Sequence, residues 1–94
     1  MDITYKEEWE DLLAQASQGD PLAQYEVALY YEEGHRVNET LLINQDPQKS
    51  FQWFQKAHHN GNKDATIRLA DYLSEGIHGK QDLPQAIKLY LQGI

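Results

Sequence analysis

The stretch Gly19-Asp20-Pro21-Leu22-Ala23, followed by Val27-Ala28, Tyr30 and Gly34, returns as Gly61-Asn62-Lys63-Asp64-Ala65, followed by Leu69-Ala70, Tyr72 and Gly76. The offset is 42 residues at the first glycine and at the last. A second echo has a shorter step: Asp46 and Ser50-Phe51-Gln52-Trp53-Phe54 return 36 residues on as Asp82 and Ala86-Ile87-Lys88-Leu89-Tyr90. Self-similarity at such periods marks stacked units, each too small to bury its own apolar face. The connections reconcile the two steps, because Gly34 to Asp46 is 12 positions and Gly76 to Asp82 is 6. The unit is therefore 36 residues, and its first copy carries a six-residue insertion.

Working outward, the apolar periodicity predicts five helices. Tyr5, Trp9, Leu12, Leu13 and Ala16 share one face of a helix near 4–18. Gly19 stops it, and Asp20 with Pro21 starts the next, near 21–33. Asp46 and Pro47 repeat that start for a helix near 47–60, with Ser50, Phe51, Phe54 and Ala57 on its stripe. Asn62 caps a fourth, near 63–75, with Ala65, Leu69, Ala70, Tyr72 and Leu73 inward. Asp82 caps a fifth, near 83–93, with Leu83, Ala86, Ile87, Tyr90 and Ile94 as its stripe. Gly34 and Gly76 read as helix ends in a left-handed conformation. No segment alternates strictly, so no strand is expected. Short turns make neighbouring helices antiparallel, and stacked hairpins then supply the core. Ala23, Ala28, Ala57, Ala65 and Ala70 are small where helices close on one another, and Tyr30, Trp53, Phe54, Tyr72 and Tyr90 fill the wider gaps.

At 94 residues the chain is a single domain. It has no cysteine, hence no disulfide or thiolate metal site. It shows no secretory signal and no apolar run long enough for a membrane span, so a cytoplasmic location is expected. The net charge of −7 is uneven: residues 1–34 hold nine acids against Lys6 alone, whereas 35–94 hold six acids and seven bases. Such a surface suits a basic protein partner and disfavours nucleic acid, whose phosphates need a basic footprint.

The spelling Gly19, Asp20, Ala23, Gln24, Tyr25, Ala28, Tyr30, Gly34, then Asp46, Lys49, Ser50, Trp53, Phe54, Lys56, Ala57, Gly61, Asn62 resembles the Sel1-like repeat, a relative of the tetratricopeptide repeat. The resemblance runs from about Ala14 to Leu91. It implies an all-α fold, an α/α superhelix of two helical hairpins plus a C-terminal helix. It further implies a protein-interaction scaffold or adaptor without catalysis or cofactor. In such solenoids the first helices of successive hairpins tend to line the concave surface. Taking those as the helices near 4–18, 47–60 and 83–93, the candidate partner-binding residues are Glu10, Gln15, Gln48, Gln52, Gln55, Lys56, Gln85, Lys88 and Gln92. The alternative is a small acidic inhibitor or immunity-type protein that neutralises a basic toxin or enzyme.

Two irregular places stand apart from the repeat. The inserted loop 35–45 contains Leu41-Leu42-Ile43, which is either a lid folded onto the hairpins or a partner-docking hook. At the C-terminal end, Ile87, Leu91 and Ile94 have no following helix to cover them. Either the chain continues in a longer repeat protein, or this end docks onto another molecule, a second copy giving a homodimer through the C-terminal helix. Trp53 sits at a structural aromatic position of the repeat and is expected in the core. Trp9 either caps the N-terminal end or lies at its edge. His58 and His59 point about 100° apart on a helix and do not share an ion, so no metal site is expected. One of them is expected to pack at the helix C-terminus as an imidazolium. Neither a nucleophile motif nor a phosphate-cradling glycine loop is present.

Overall fold

The computed structural model describes residues 3–77 and 79–93. Five helices follow one another: α1 (Lys6–Ser17), α2 (Pro21–Glu33), α3 (Pro47–His59), α4 (Lys63–Glu75) and α5 (Leu83–Gln92). Their starts obey local chemistry. Asp20 accepts the backbone N–H of Leu22 and Ala23, Asp46 that of Lys49, Asn62 that of Ala65, and Asp82 that of Gln85. Each satisfies a donor that a helix N-terminus leaves orphaned. Gly76 ends α4 in the left-handed region, at φ 70° and ψ 29°. Gly34 has φ 72° but ψ 174°, so it is not in the left-handed helical region expected for it. Its glycine requirement is also spatial: a Cβ there would lie 3.1 Å from both Gln45 N and Ile43 O.

Two short strands, β1 (His35–Val37) and β2 (Thr40–Ile43), correct the expectation of an all-loop insertion. They pair antiparallel around Asn38 and Glu39, whose φ values of 49° and 71° are the positive pair of a two-residue hairpin turn. Arg36 Nη1 donates to Glu39 O at 3.2 Å across the turn. The register runs Val37–Thr40, Arg36–Leu41, His35–Ile43, so Leu42 is the extra residue of a bulge. Three- and four-residue strands are too short to display the alternation by which strands are read.

The insertion leaves the repeat undisturbed. Asp46 N donates to Tyr31 O at 2.7 Å, and the equivalent Asp82 N donates to Leu73 O at 2.8 Å. The residues before them match too. Gln45 Nε2 donates to Glu32 O and Gln81 Nε2 to Ser74 O, both carbonyls at a helix C-terminus. The hairpin is thus a side excursion between fixed ends.

The core forms two connected clusters. One joins Ala28, Phe54, Ala57, Ala65, Leu69, Ala70, Tyr72 and Leu89; the other joins Ile3, Trp9, Ala16, Ala23, Val27 and Ile43. The alanines stand where expected, all buried. Trp9 lies in the second cluster, edge-on to Tyr30 and Tyr31 at 5.8 and 5.4 Å, and is therefore core rather than rim. Trp53 is half-buried and packs against both clusters. Three stripe assignments need correction. Tyr5 is 67% exposed, because it is the N-cap of α1 and not part of its inner face. Leu83 and Ile87 point outward, while Leu89 takes the buried position. On α5 the apolar residues wrap around much of the helix, and periodicity alone does not say which arc faces in. Ile94 lies outside the described residues.

Candidate functional site

The nine polar candidates on α1, α3 and α5 are all exposed. Only three of them converge. Gln52, Gln55 and Lys56 join His59 and Asn60 around a shallow groove of 460 Å³ along α3. Lys56 Nζ lies 4.2 Å from the centre of the Trp53 ring, a cation–π contact that also shields the indole. Gln15 lines a separate depression with Ile3, Glu8, Asp11, Leu12, Glu26 and Tyr30. Gln92 engages through its backbone, accepting from Lys63 Nζ at 3.0 Å. Glu10, Gln48, Gln85 and Lys88 line neither cavity.

The inserted apolar triplet divides. Ile43 is 3% exposed and belongs to the second core cluster, with Leu42 packed beside it. Both act as a lid and are corrected from candidate partner contacts to core. The bulge at Leu42 makes this possible by setting consecutive residues on the inner side. Leu41 alone remains outside. The lid is tied down at its base, where His35 Nε2 donates to Ile3 O at 2.6 Å and the His35 ring meets Tyr30 edge-on.

A more polar cavity, of 370 Å³, opens where α2 faces α4, lined by Glu32, Gln45, Pro47, Arg68, Asp71, Tyr72, Glu75 and Ile77. Glu32 is the residue that joins its walls. One carboxylate oxygen is ion-paired with Arg68, and the other accepts the Tyr72 hydroxyl at 2.8 Å. Tyr72 OH also lies 3.0 Å from Ser50 Oγ, which donates to Ala28 O at 2.8 Å. Burial pushes the Tyr72 hydroxyl pKa up, against the opposing pull of its contact with Ser50 and the charge of Arg68. Arg68 packs over the Phe54 ring, and its Nε is buried without a partner. On the far wall Asp71 accepts the Tyr90 hydroxyl at 2.5 Å, which raises the Tyr90 pKa. Glu75 stays exposed. Three carboxylates thus surround one guanidinium that is already paired, with Pro47 and Ile77 as apolar edges. None of these eight residues was among the sequence candidates. The repeated Gln-Asp pairs at 45–46 and 81–82 were the available signal, because they mark where each connection returns past the first helix of its unit.

His58 packs at the end of α3 as expected, within 2.6 Å of Thr66 Oγ1. Its protonation is the reverse of the expectation. Burial, then the neighbouring charges of His59 and Lys63, lowers its pKa, so the neutral ring is favoured over the imidazolium. Among the described residues no three His, Asp or Glu side chains converge on a metal position. Among the same residues no helix is long and apolar enough to cross a membrane.

The fold has solved counterparts. A Sel1 repeat protein from Oxalobacter formigenes superposes with a TM-score of 0.80 at 26% identity, over 94% of this chain and 34% of that one. The antigen c5321 of uropathogenic Escherichia coli, which displays an SLR fold, superposes at 0.77 and 27% identity, over 87% of this chain and 16% of that one. The chain therefore spans about a third of the first and a sixth of the second. No curated protein matches it in sequence. The family model of the Sel1 repeat matches residues 21–62 and 63–94. Its units pair α2 with α3 and α4 with α5, one helix later than the hairpins suggested by the tight turns at Gly19 and Gly61. The first helices of the matched units are then α2 and α4, the two that wall the polar cavity. With both units matched over most of its length, the chain belongs to the Sel1 repeat family, whose members generally serve as protein-interaction scaffolds.

Proposed function

We propose that the chain is a non-catalytic adaptor that holds a basic segment of a partner protein in the cleft between α2 and α4. The carrying observation is the composition of that cleft: Glu32, Asp71 and Glu75 outnumber Arg68, and the carboxylate of Glu75 stands exposed. A lysine or arginine side chain suits such a place, its methylenes along Pro47 and Ile77 and its head group toward Asp71 and Glu75. The acidic surface of residues 1–34 adds long-range attraction for the same kind of partner.

The test is selection of random displayed peptides on the immobilised chain, followed by binding measurements with charge-reversed variants. Selected peptides should carry Lys or Arg, and Glu75→Lys should weaken them at least about tenfold, a loss of about 1.4 kcal/mol. Lys56→Glu, on the α3 groove, should leave them unchanged. Loss at Lys56 with none at Glu75 would move the site to α3 and refute the cleft. An association rate that stays flat with added salt would rule out the inhibitor form of this reading, which depends on electrostatic steering.

A further inference from the structure

We infer that α5 pairs with α5 of a second copy, antiparallel, about a two-fold axis through Ile87. Ala86 and Leu89 fill the core from one side of this helix, while Leu83, Ile87 and Leu91 are 50%, 58% and 66% exposed on another. They are spaced four residues apart, so each is turned only about 40° from the last and the three form one stripe. The repeat shows what this stripe is for. Ile87 is equivalent to Phe51, which α4 covers by stacking Tyr72 on it at 6.0 Å. Leu83 and Leu91 are equivalent to Pro47 and Gln55, which are exposed even in the internal unit. A following repeat would cover Ile87, set Leu83 at the open edge of a cleft as Pro47 is, and leave Leu91 exposed as Gln55 is, so the stripe is longer than repeat stacking requires.

Its symmetry selects the occupant. Leu83 and Leu91 lie four residues to either side of Ile87, so an antiparallel copy sets Ile87 on its own counterpart and Leu83 on Leu91 at both ends. Such an isologous contact is self-complementary. The alternative arrangement, head to tail, would set the stripe against α1, whose exposed Glu7, Glu10 and Asp11 are carboxylates. Lys88 is the sole charged residue of α5 and lies off the stripe. Three side chains and their flanks cover less than the roughly 800 Å² per partner of a standard interface. The dimer is accordingly weak and concentration-dependent.

Sedimentation equilibrium of the chain from micromolar to millimolar concentration tests this, with far-UV circular dichroism confirming that each variant is folded. The weight-average mass should climb from one chain toward two, and Ile87→Glu should hold it at one. The chain has no cysteine, so single thiols report register. On oxidation, Ile87→Cys should link to itself, whereas Leu83→Cys and Leu91→Cys should link to each other when mixed and not to themselves. A mass that stays at one chain at millimolar concentration leaves the stripe to a different protein or a further repeat and overturns the inference. So does self-linking at all three positions, the pattern of a parallel pair.

Discussion

Replacing His35–Gln45 with the five residues that occupy 77–81 would make the first connection the length of the second, and its cost follows from what the hairpin buries. Ile43 is 3% exposed, and losing a fully buried isoleucine costs about 1.5–3 kcal/mol. The hydrogen bond from His35 to Ile3 O is worth about 1 kcal/mol. Against these, closing a loop of about half the length returns about 0.7 kcal/mol. The terminal glutamine and Asp46 are retained, so the bonds to Glu32 O and Tyr31 O that anchor the connection survive. The net loss is about 2–3 kcal/mol, within the roughly 5–14 kcal/mol expected of a domain this size. The variant should therefore keep its helical circular dichroism and melt about 10–25 °C lower. Loss of the helical signal would mean that the hairpin is part of the stack and not an excursion from it. An unchanged or higher melting temperature would mean that Ile43 is not core, and would refute the packing described above.

Ala70 is fully buried in the core cluster shared by α2, α3, α4 and α5, so Ala70→Leu should cost about 1–3 kcal/mol by overpacking, read as a lower urea midpoint. Glu32→Gln should destabilise the fold by stranding the Arg68 guanidinium, and adding Arg68→Met should recover part of the loss; a double variant no more stable than the single one would show that the pair is not coupled. His58 has a folded pKa below its ordinary value of 6.5, so the unfolded chain takes up the proton first. Its contribution to stability is complete above about pH 6.5 and declines as pH falls from there through the folded pKa. Between pH 7.5 and 5.5 the wild type should lose more stability than His58→Gln, as measured by urea unfolding at each pH.

Much of the fold was legible because its signals are local. A cap at Asp20, Asp46, Asn62 or Asp82 involves residues two or three apart, and the helix starts are accordingly at or beside their predicted positions. What escaped were decisions made between distant elements. The bulge at Leu42 exists because the second core cluster accepts Ile43, and nothing within 35–45 declares that. On α5 the choice between Leu83 and Leu89 as the buried residue was settled by where α4 lies. The polar candidates on α1, α3 and α5 are exposed, which leaves their role in binding a partner untouched. Their selection rested on the pairing of helices by tight turns, whereas the matched repeats begin one helix later. The α2–α4 cleft depends on Glu32 and Arg68, 36 residues apart, and no spacing rule within one helix brings them together.

Trp53 touches both core clusters, and this bears on how the molecule comes apart. In a linear stack each unit contacts only its neighbours, so the ends are free to fray separately unless something couples them. One indole shared by two cores adds to the coupling that α2 provides by placing Ala23 and Val27 in one and Ala28 in the other, so opening either half withdraws contact from the other. The chain should for that reason melt in a single cooperative transition, and truncating this one ring should broaden it.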